Sequence, residues 1–108
     1  MLIRGSDALL EHGRHGQLKQ VLLSGGRLPG VTQIATATLE AGLGVETHSH
    51  PTMWEIFYVL EGAAEYFVGT DRYTATTGDL VVVPAGVPHS VTAIEAPHRI
   101  LYWGIAVD

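Results

Sequence analysis

The chain contains no cysteine among its 108 residues. This absence excludes disulfide bridges, zinc sites of the CxxC type, thiolate catalysis and iron–sulfur clusters. A metal site in this chain would therefore use imidazole nitrogens and carboxylate oxygens as ligands.

Charge and long apolar runs are also scarce. Charged residues make up 16% of the chain, the formal net charge is −5, and the six Lys and Arg residues are scattered. A chain this acidic binds nucleic acids and anionic membranes poorly, so we expect neither as a partner. No apolar run is long enough to span a bilayer, and the N-terminus lacks the apolar segment of a signal peptide. We therefore expect a cytoplasmic protein.

What the chain has in abundance is short strand patterns. From Val31 onwards, segments rich in Val, Ile and Thr alternate with turn signals, and no helical periodicity of useful length follows residue 20. Nine or ten short strands at this spacing predict an all-β sandwich or barrel. We expect one domain over 1–108, with an irregular N-terminal segment at 1–17 that holds a helical turn near 8–11.

Two turns within this pattern are specific expectations. Glu61-Gly62 is expected to close a hairpin between strands at 55–60 and 64–68. Near the C-terminus, 89–94 and 99–107 are expected to form two separate strands.

Three histidines and one glutamate have the spacing of a metal site. His48 and His50 are two residues apart, so on a strand they face the same side. Glu55 begins the next apolar run, and His89 follows a rigid segment with two prolines. Imidazole and carboxylate together suit one divalent transition metal, and Fe, Mn, Ni, Zn and Co stay open.

These residues resemble the two signature motifs of the cupin superfamily. The segment 42–62 fits G-x5-H-x-H-x3,4-E-x6-G, and 78–93 fits G-x5-P-x-G-x2-H-x3-N except that Ala93 stands in the place of the Asn. The fixed positions are Gly42, His48, His50, Glu55 and Gly62, then Gly78, Pro84, Gly86 and His89. The resemblance implies an antiparallel cupin or jelly-roll β-barrel that binds a metal. It leaves the reaction open, because cupins include dioxygenases, isomerases, lyases, decarboxylases, sugar epimerases and non-catalytic sensors.

Strand alternation predicts what surrounds the metal. Side chains that share a face with the ligands are expected to line a substrate pocket: Phe57, Val59, Val91 and Ala93. Tyr66 and Tyr102 are the candidate catalytic acid–base residues, although a one-residue change of register would turn either outward.

Other aromatic and imidazole residues have weaker cases. We expect His98, after Pro97, to lie in a solvated loop, and His12 and His15 to be solvated in a flexible segment. Met53 and Trp54 would line the rim of the cup or pack on the outside of the barrel.

The leading functional hypothesis is a metal-dependent enzyme that acts on a small, oxygen-rich organic molecule by isomerase, lyase or dioxygenase chemistry. The alternative is a non-catalytic sensor or binding module. Sensor cupins usually carry a DNA-binding domain, for which 108 residues leave no room, so we favour the enzyme. Because no cationic side chain is expected to point inward, we favour oxygen-independent chemistry.

We also expect a homodimer with two-fold symmetry. Apolar residues that alternate with inward ones would face outward or toward the other sheet, and few charges are available to cover them. They are Val81, Val83, Leu101, Trp103 and Ile105.

Overall fold

The computed structural model describes residues 1–107; Asp108, the last residue of the predicted domain, lies outside them. Those residues form one short 3-10 helix and eight strands. The helix is Gly5–Asp7, and the strands are β1 (Leu10–His12), β2 (Leu18–Leu23), β3 (Val31–Leu39), β4 (Gly44–His48), β5 (Met53–Val68), β6 (Asp71–Thr76), β7 (Leu80–Val83) and β8 (His89–Ala106). The prediction of an all-β antiparallel fold is confirmed.

Two long, bent strands, β5 and β8, run through both layers of the fold. Their first and last halves pair with different neighbours: β3 joins β8 over 98–105, whereas β4 joins β8 over 89–92. In the same way, β7 pairs with β5 over 55–58 and β6 pairs with it over 63–68. The sheet order is β1-β2-β3-β8-β5-β6, and its edges are not joined to each other, so the barrel is not closed by hydrogen bonds.

The expected hairpin at Glu61-Gly62 is wrong, because β5 continues through these residues. Gly62 has φ of +75° and the register with β8 shifts on both sides of it, as in a β-bulge. A Cβ at Gly62 would meet the carbonyl oxygens of Glu95 and Pro97. The chain therefore bends at this glycine because β8 packs directly against its α-carbon. The two separate C-terminal strands are likewise one strand, β8.

The apolar core lies between the two layers. Leu39, Val59, Ala64 and Val83 are almost completely buried there. Complete burial of such aliphatic side chains contributes about 1.5–3 kcal/mol each, so we expect the fold to persist without a metal ion.

The outer face of the sheet is also apolar, but not quite with the expected residues. Val81 and Val83 belong to the core, whereas Leu80 and Val82 are exposed. The exposed pair lies beside the outward side chains of β5 and β8, namely Trp54, Ile56, Tyr58, Leu101, Trp103 and Ile105. Trp54 therefore packs on the outside of the barrel.

The N-terminal segment is more regular than expected. The helical turn is at Gly5–Asp7, not at 8–11, and β1 pairs with β2 to form a hairpin at the sheet edge. No helix among residues 1–107 is long and apolar enough to cross a membrane.

Candidate metal centre

Four side chains from three strands and one turn converge at one end of the core. His48 ends β4 and lies opposite His89 in the β4–β8 register. Glu55 is on β5, and His50 lies just beyond β4 instead of within it. The carbonyl of His50 accepts a hydrogen bond from the Gly86 N–H at 3.0 Å, which joins the two sequence motifs.

Backbone carbonyls of nearby residues orient two of the histidine rings. Nδ1–H of His48 donates to the Glu46 carbonyl at 2.7 Å, and Nδ1–H of His89 donates to the Val87 carbonyl at 3.0 Å. In both cases the acceptor lies two residues before the histidine. These bonds favour the tautomer whose Nε2 has a free lone pair, the form in which a neutral histidine binds a metal.

Glu55 provides the negative charge of the cluster. Its carboxylate lies 3.2 Å from Nε2 of His89 and 3.8 Å from Nε2 of His50. Both Glu55 and His89 are buried, with exposed fractions of 8% and 3%. Since a buried carboxylate is costly unless a positive charge accompanies it, this position favours a cation.

The pKa values of two histidines reflect these surroundings. Burial lowers the pKa of His50, assisted by the charges of His48, His89 and Arg14 and opposed by that of Glu55. Burial alone would lower the pKa of His89, but hydrogen bonds to Glu55 and to the Val87 carbonyl outweigh it and raise that pKa. The buried end of the cluster therefore attracts positive charge.

The donor set fits a transition metal. One ligand atom from each of His48, His50, Glu55 and His89 lies within 4.8 Å of the others. Two atoms bound to the same ion at about 2.1 Å are at most about 4.2 Å apart, so shifts of less than about 1 Å would complete the site. The four residues could hold one ion.

A cavity of about 340 Å³ opens above the cluster. All four ligand candidates line it, together with Phe57, Val91 and Tyr102 from the predicted set, and with Met53. Val59 and Ala93 are instead buried in the core beneath it. The wall is therefore largely apolar on the side of β5 and β8.

Comparison with known proteins gives the family. The cupin domain family matches residues 35–103, which is more than half of the chain. The chain belongs to the cupin family. It is 30% identical over 90 residues to an uncharacterized protein of Methanocaldococcus jannaschii, a match that covers 82% of this chain and 72% of that protein.

Solved structures agree with this cupin in fold. A predicted oxalate decarboxylase from Thermotoga maritima has a TM-score of 0.89 and 23% identity, over 99% of this chain and 100% of that one. An oxalate decarboxylase from Bacillus subtilis, described with Mn(II) centres, has a TM-score of 0.78 and 21% identity, over 98% of this chain but 30% of that one. At these identities the likeness concerns the fold.

Tyr66 and His98 of this cupin form a buried pair away from the cavity wall. The expectation of a solvated His98 is wrong: β8 continues through Pro97, and His98 is completely buried. The Tyr66 hydroxyl and Nε2 of His98 are 2.7 Å apart. Burial raises the pKa of Tyr66. Burial lowers the pKa of His98, and the nearby backbone of Glu61 offsets only part of that lowering. The phenol therefore donates to a neutral imidazole.

Tyr102 lies where a proton donor could act. It lines the cavity and its ring stacks with that of Phe57 at 6.1 Å between centroids. Burial, with the charges of Glu55 and Glu11, raises the pKa of Tyr102 to about 12. Its hydroxyl is consequently protonated at neutral pH. The catalytic roles of Tyr66 and Tyr102 stay predictions, and their positions favour Tyr102.

The N-terminal hairpin contributes to the cavity side chains that were not among the predicted site residues. Arg14, His15, Gln17 and Lys19 from the β1–β2 hairpin line the cavity, as does Gln33 of β3. The ring of His15 stacks on that of His48 at 5.5 Å between centroids, so it is not simply solvated. Gln17 and Lys19 are two residues apart, so an extended chain places their side chains on the same face. No feature of the local sequence indicates that this face lies next to the metal-ligand candidates.

Proposed function

We propose that this cupin is a metal-dependent enzyme that acts on a small, oxygen-rich organic molecule. One observation carries the proposal: the three histidines and Glu55 lie together in the wall of an open cavity, where a substrate can reach them. A purely structural metal site would be closed and four-coordinate, often with thiolate ligands. The cavity volume of about 340 Å³ is at the lower end of the range for ligand pockets, which supports a small substrate.

The residues of the chain have separable tasks in this proposal. The three imidazoles and the Glu55 carboxylate would hold one divalent ion, which would supply Lewis-acid polarisation of a substrate oxygen or, as Fe or Mn, redox chemistry. Phe57 and Val91 exclude water from the apolar wall, and the Tyr102 hydroxyl can give a proton to a substrate atom in the cavity.

Mn(II) is the first ion to test. The fold resembles that of the Bacillus subtilis oxalate decarboxylase described with Mn(II) centres, and nitrogen and oxygen ligands suit manganese. Oxygen-independent chemistry is no longer favoured, because cationic side chains line the cavity. Isomerase or lyase chemistry and dioxygenase chemistry are therefore both to be tested.

The test begins with metal analysis of protein purified without a nickel column. We expect close to one divalent transition ion per chain in the parent, and loss of that ion in His89→Ala. The control is His12→Ala, a histidine outside the cavity wall. A His89→Ala variant that keeps its ion would contradict the assignment.

The second step is turnover of small hydroxy acids, diketones and uronates under air and under nitrogen. Turnover that stops with the loss of metal supports an enzyme, and oxygen uptake assigns it to the dioxygenases. Tight binding of these compounds without any turnover would favour the alternative, a small-molecule sensor or binding module.

A further inference from the structure

Two cations from the N-terminal hairpin line the cavity. Arg14 lies in the turn between β1 and β2, and Lys19 lies on β2; both line the same cavity as the metal cluster. Both precede the segment 35–103 that matches the cupin family. These cations are thus features of this chain and not of the family motifs.

Neither cation forms an ion pair within the described part of the chain. Among residues 1–107 no carboxylate lies within ion-pair distance of Arg14 or Lys19, whereas Arg72 pairs with Glu65 at 2.8 Å. Glu11 lies opposite Lys19 in the β1–β2 register, yet the two form no ion pair. The two charges are therefore available to a ligand.

The charge balance of the cavity is unusual for this chain. The whole protein has a formal net charge of −5, yet two of its six Lys and Arg residues line the cavity. Glu55 is the one carboxylate of the described wall and the charge of Glu11 also reaches Tyr102 in that wall; a divalent ion would offset both carboxylates. The cavity of the metal-loaded protein would therefore attract anions.

The turn that carries Arg14 is held in place. The Gly13 N–H donates to the Gln17 carbonyl at 2.7 Å, and the Gly16 N–H donates to the Gly13 carbonyl at 3.0 Å. The side-chain oxygen of Gln17 accepts from the His15 N–H at 3.0 Å. Three hydrogen bonds thus fix the backbone on both sides of Arg14, which reduces the backbone entropy lost when the turn binds a ligand.

We propose that Arg14 and Lys19 bind a carboxylate of the substrate, so that this site selects small organic acids with a second oxygen donor that faces the histidine cluster. The inference rests on the proposed function, which supplies the metal in the same cavity. A guanidinium and a carboxylate form paired, charge-assisted hydrogen bonds, and the ammonium of Lys19 adds a second positive charge. The next residue, His15, stacks on His48 at 5.5 Å between ring centroids, which places the turn that carries Arg14 beside the cluster.

The test compares malonate with its neutral analogue malonamide on the Mn(II)-loaded protein by isothermal titration calorimetry. The variants are Arg14→Gln/Lys19→Gln and the control Arg27→Gln, which removes an exposed cation outside the cavity wall. We expect the double variant to bind malonate at least about tenfold more weakly, since two charge-assisted contacts are lost. Its metal content and its affinity for malonamide should equal those of the parent.

Ionic strength gives a second readout that a structural role of the hairpin would not change. Malonate binding to the parent and to Arg27→Gln should weaken from 20 to about 200 mM salt, and binding to the double variant should weaken much less. Unchanged malonate affinity in the double variant would overturn the inference. So would a double variant that loses the metal, or that loses malonamide binding to the same extent. A parent that binds no metal would instead overturn the proposed function on which the inference rests.

Discussion

The two glycines that begin and end the first motif have the same backbone conformation but different surroundings. Gly42 has φ of +78° and Gly62 has φ of +75°. A Cβ at Gly42 would have nothing within 4 Å, whereas a Cβ at Gly62 would meet the carbonyl oxygens of Glu95 and Pro97. Substitution of the two by alanine therefore separates the cost of the conformation from the cost of the contact.

The expected magnitudes follow from these surroundings. Placing alanine at positive φ costs about 1–2 kcal/mol at either site. Gly62→Ala also forces β5 and β8 apart, since the obstructing atoms are backbone and cannot rotate away, and such overpacking adds about 1–3 kcal/mol. In a domain of this size, each kcal/mol of destabilisation lowers the melting temperature by about 4 °C or more. Gly62→Ala should therefore melt at least about 4 °C below Gly42→Ala.

Thermal melts followed by circular dichroism measure this difference. Asparagine gives a second comparison, because it tolerates positive φ better than alanine but has the same Cβ. Gly42→Asn should melt close to the parent, and Gly62→Asn should stay strongly destabilised or fail to fold. Equal melting temperatures for the two alanine variants would refute the reasoning about Gly62.

Three further predictions concern the cluster, the buried imidazole and the outer face. His50→Ala should weaken metal binding by more than tenfold, because loss of even a residue that hydrogen-bonds to a metal ligand costs about tenfold in affinity. The metal-free variant should still unfold cooperatively. Metal analysis and thermal melts of the same protein check both expectations. The folded-state pKa of His98 is lowered from 6.5, so the stability that its neutral form contributes is present at neutral pH and is lost as the pH falls below 6.5. Between pH 6.5 and pH 5 the melting temperature of His98→Gln should therefore drop less than that of the parent. Equal drops would contradict this. We also propose a homodimer through the apolar outer face, where Leu80 and Val82 are 54% and 43% exposed. Light scattering should give a dimeric mass for the parent and a monomeric mass for Val82→Lys. A monomeric parent would exclude the dimer.

The histidine cluster could be predicted from sequence because its geometry is largely local. His48 and His50 are two residues apart, and only a short segment separates them from Glu55 at the start of β5. His89 follows the loop whose Gly86 bonds to the His50 carbonyl. The expected single strand through both histidines was nevertheless wrong, because β4 ends at His48 and His50 is positioned by that loop contact.

The rest depended on long-range pairing that no local pattern encodes. Glycine at position 62 is equally typical of a tight turn and of a bulge, and only the approach of β8 distinguishes them. The burial of His98 has the same origin, since it requires β8 to continue past Pro97. Arg14 and Lys19 reach the cavity because the edge hairpin lies over it, which depends on the pairing of β2 with β3.

The ligand candidates and the two cations of the cavity are thus encoded by separate stretches of the chain. The four ligand candidates lie between residues 48 and 89, whereas the two cations lie in a hairpin that joins the sheet through β3 at its edge. None of the four ligand candidates lies in the edge hairpin, although His15 stacks on His48. If both proposals hold, a graft of residues 10–23 between cupins would change substrate preference while leaving the four ligand candidates in place.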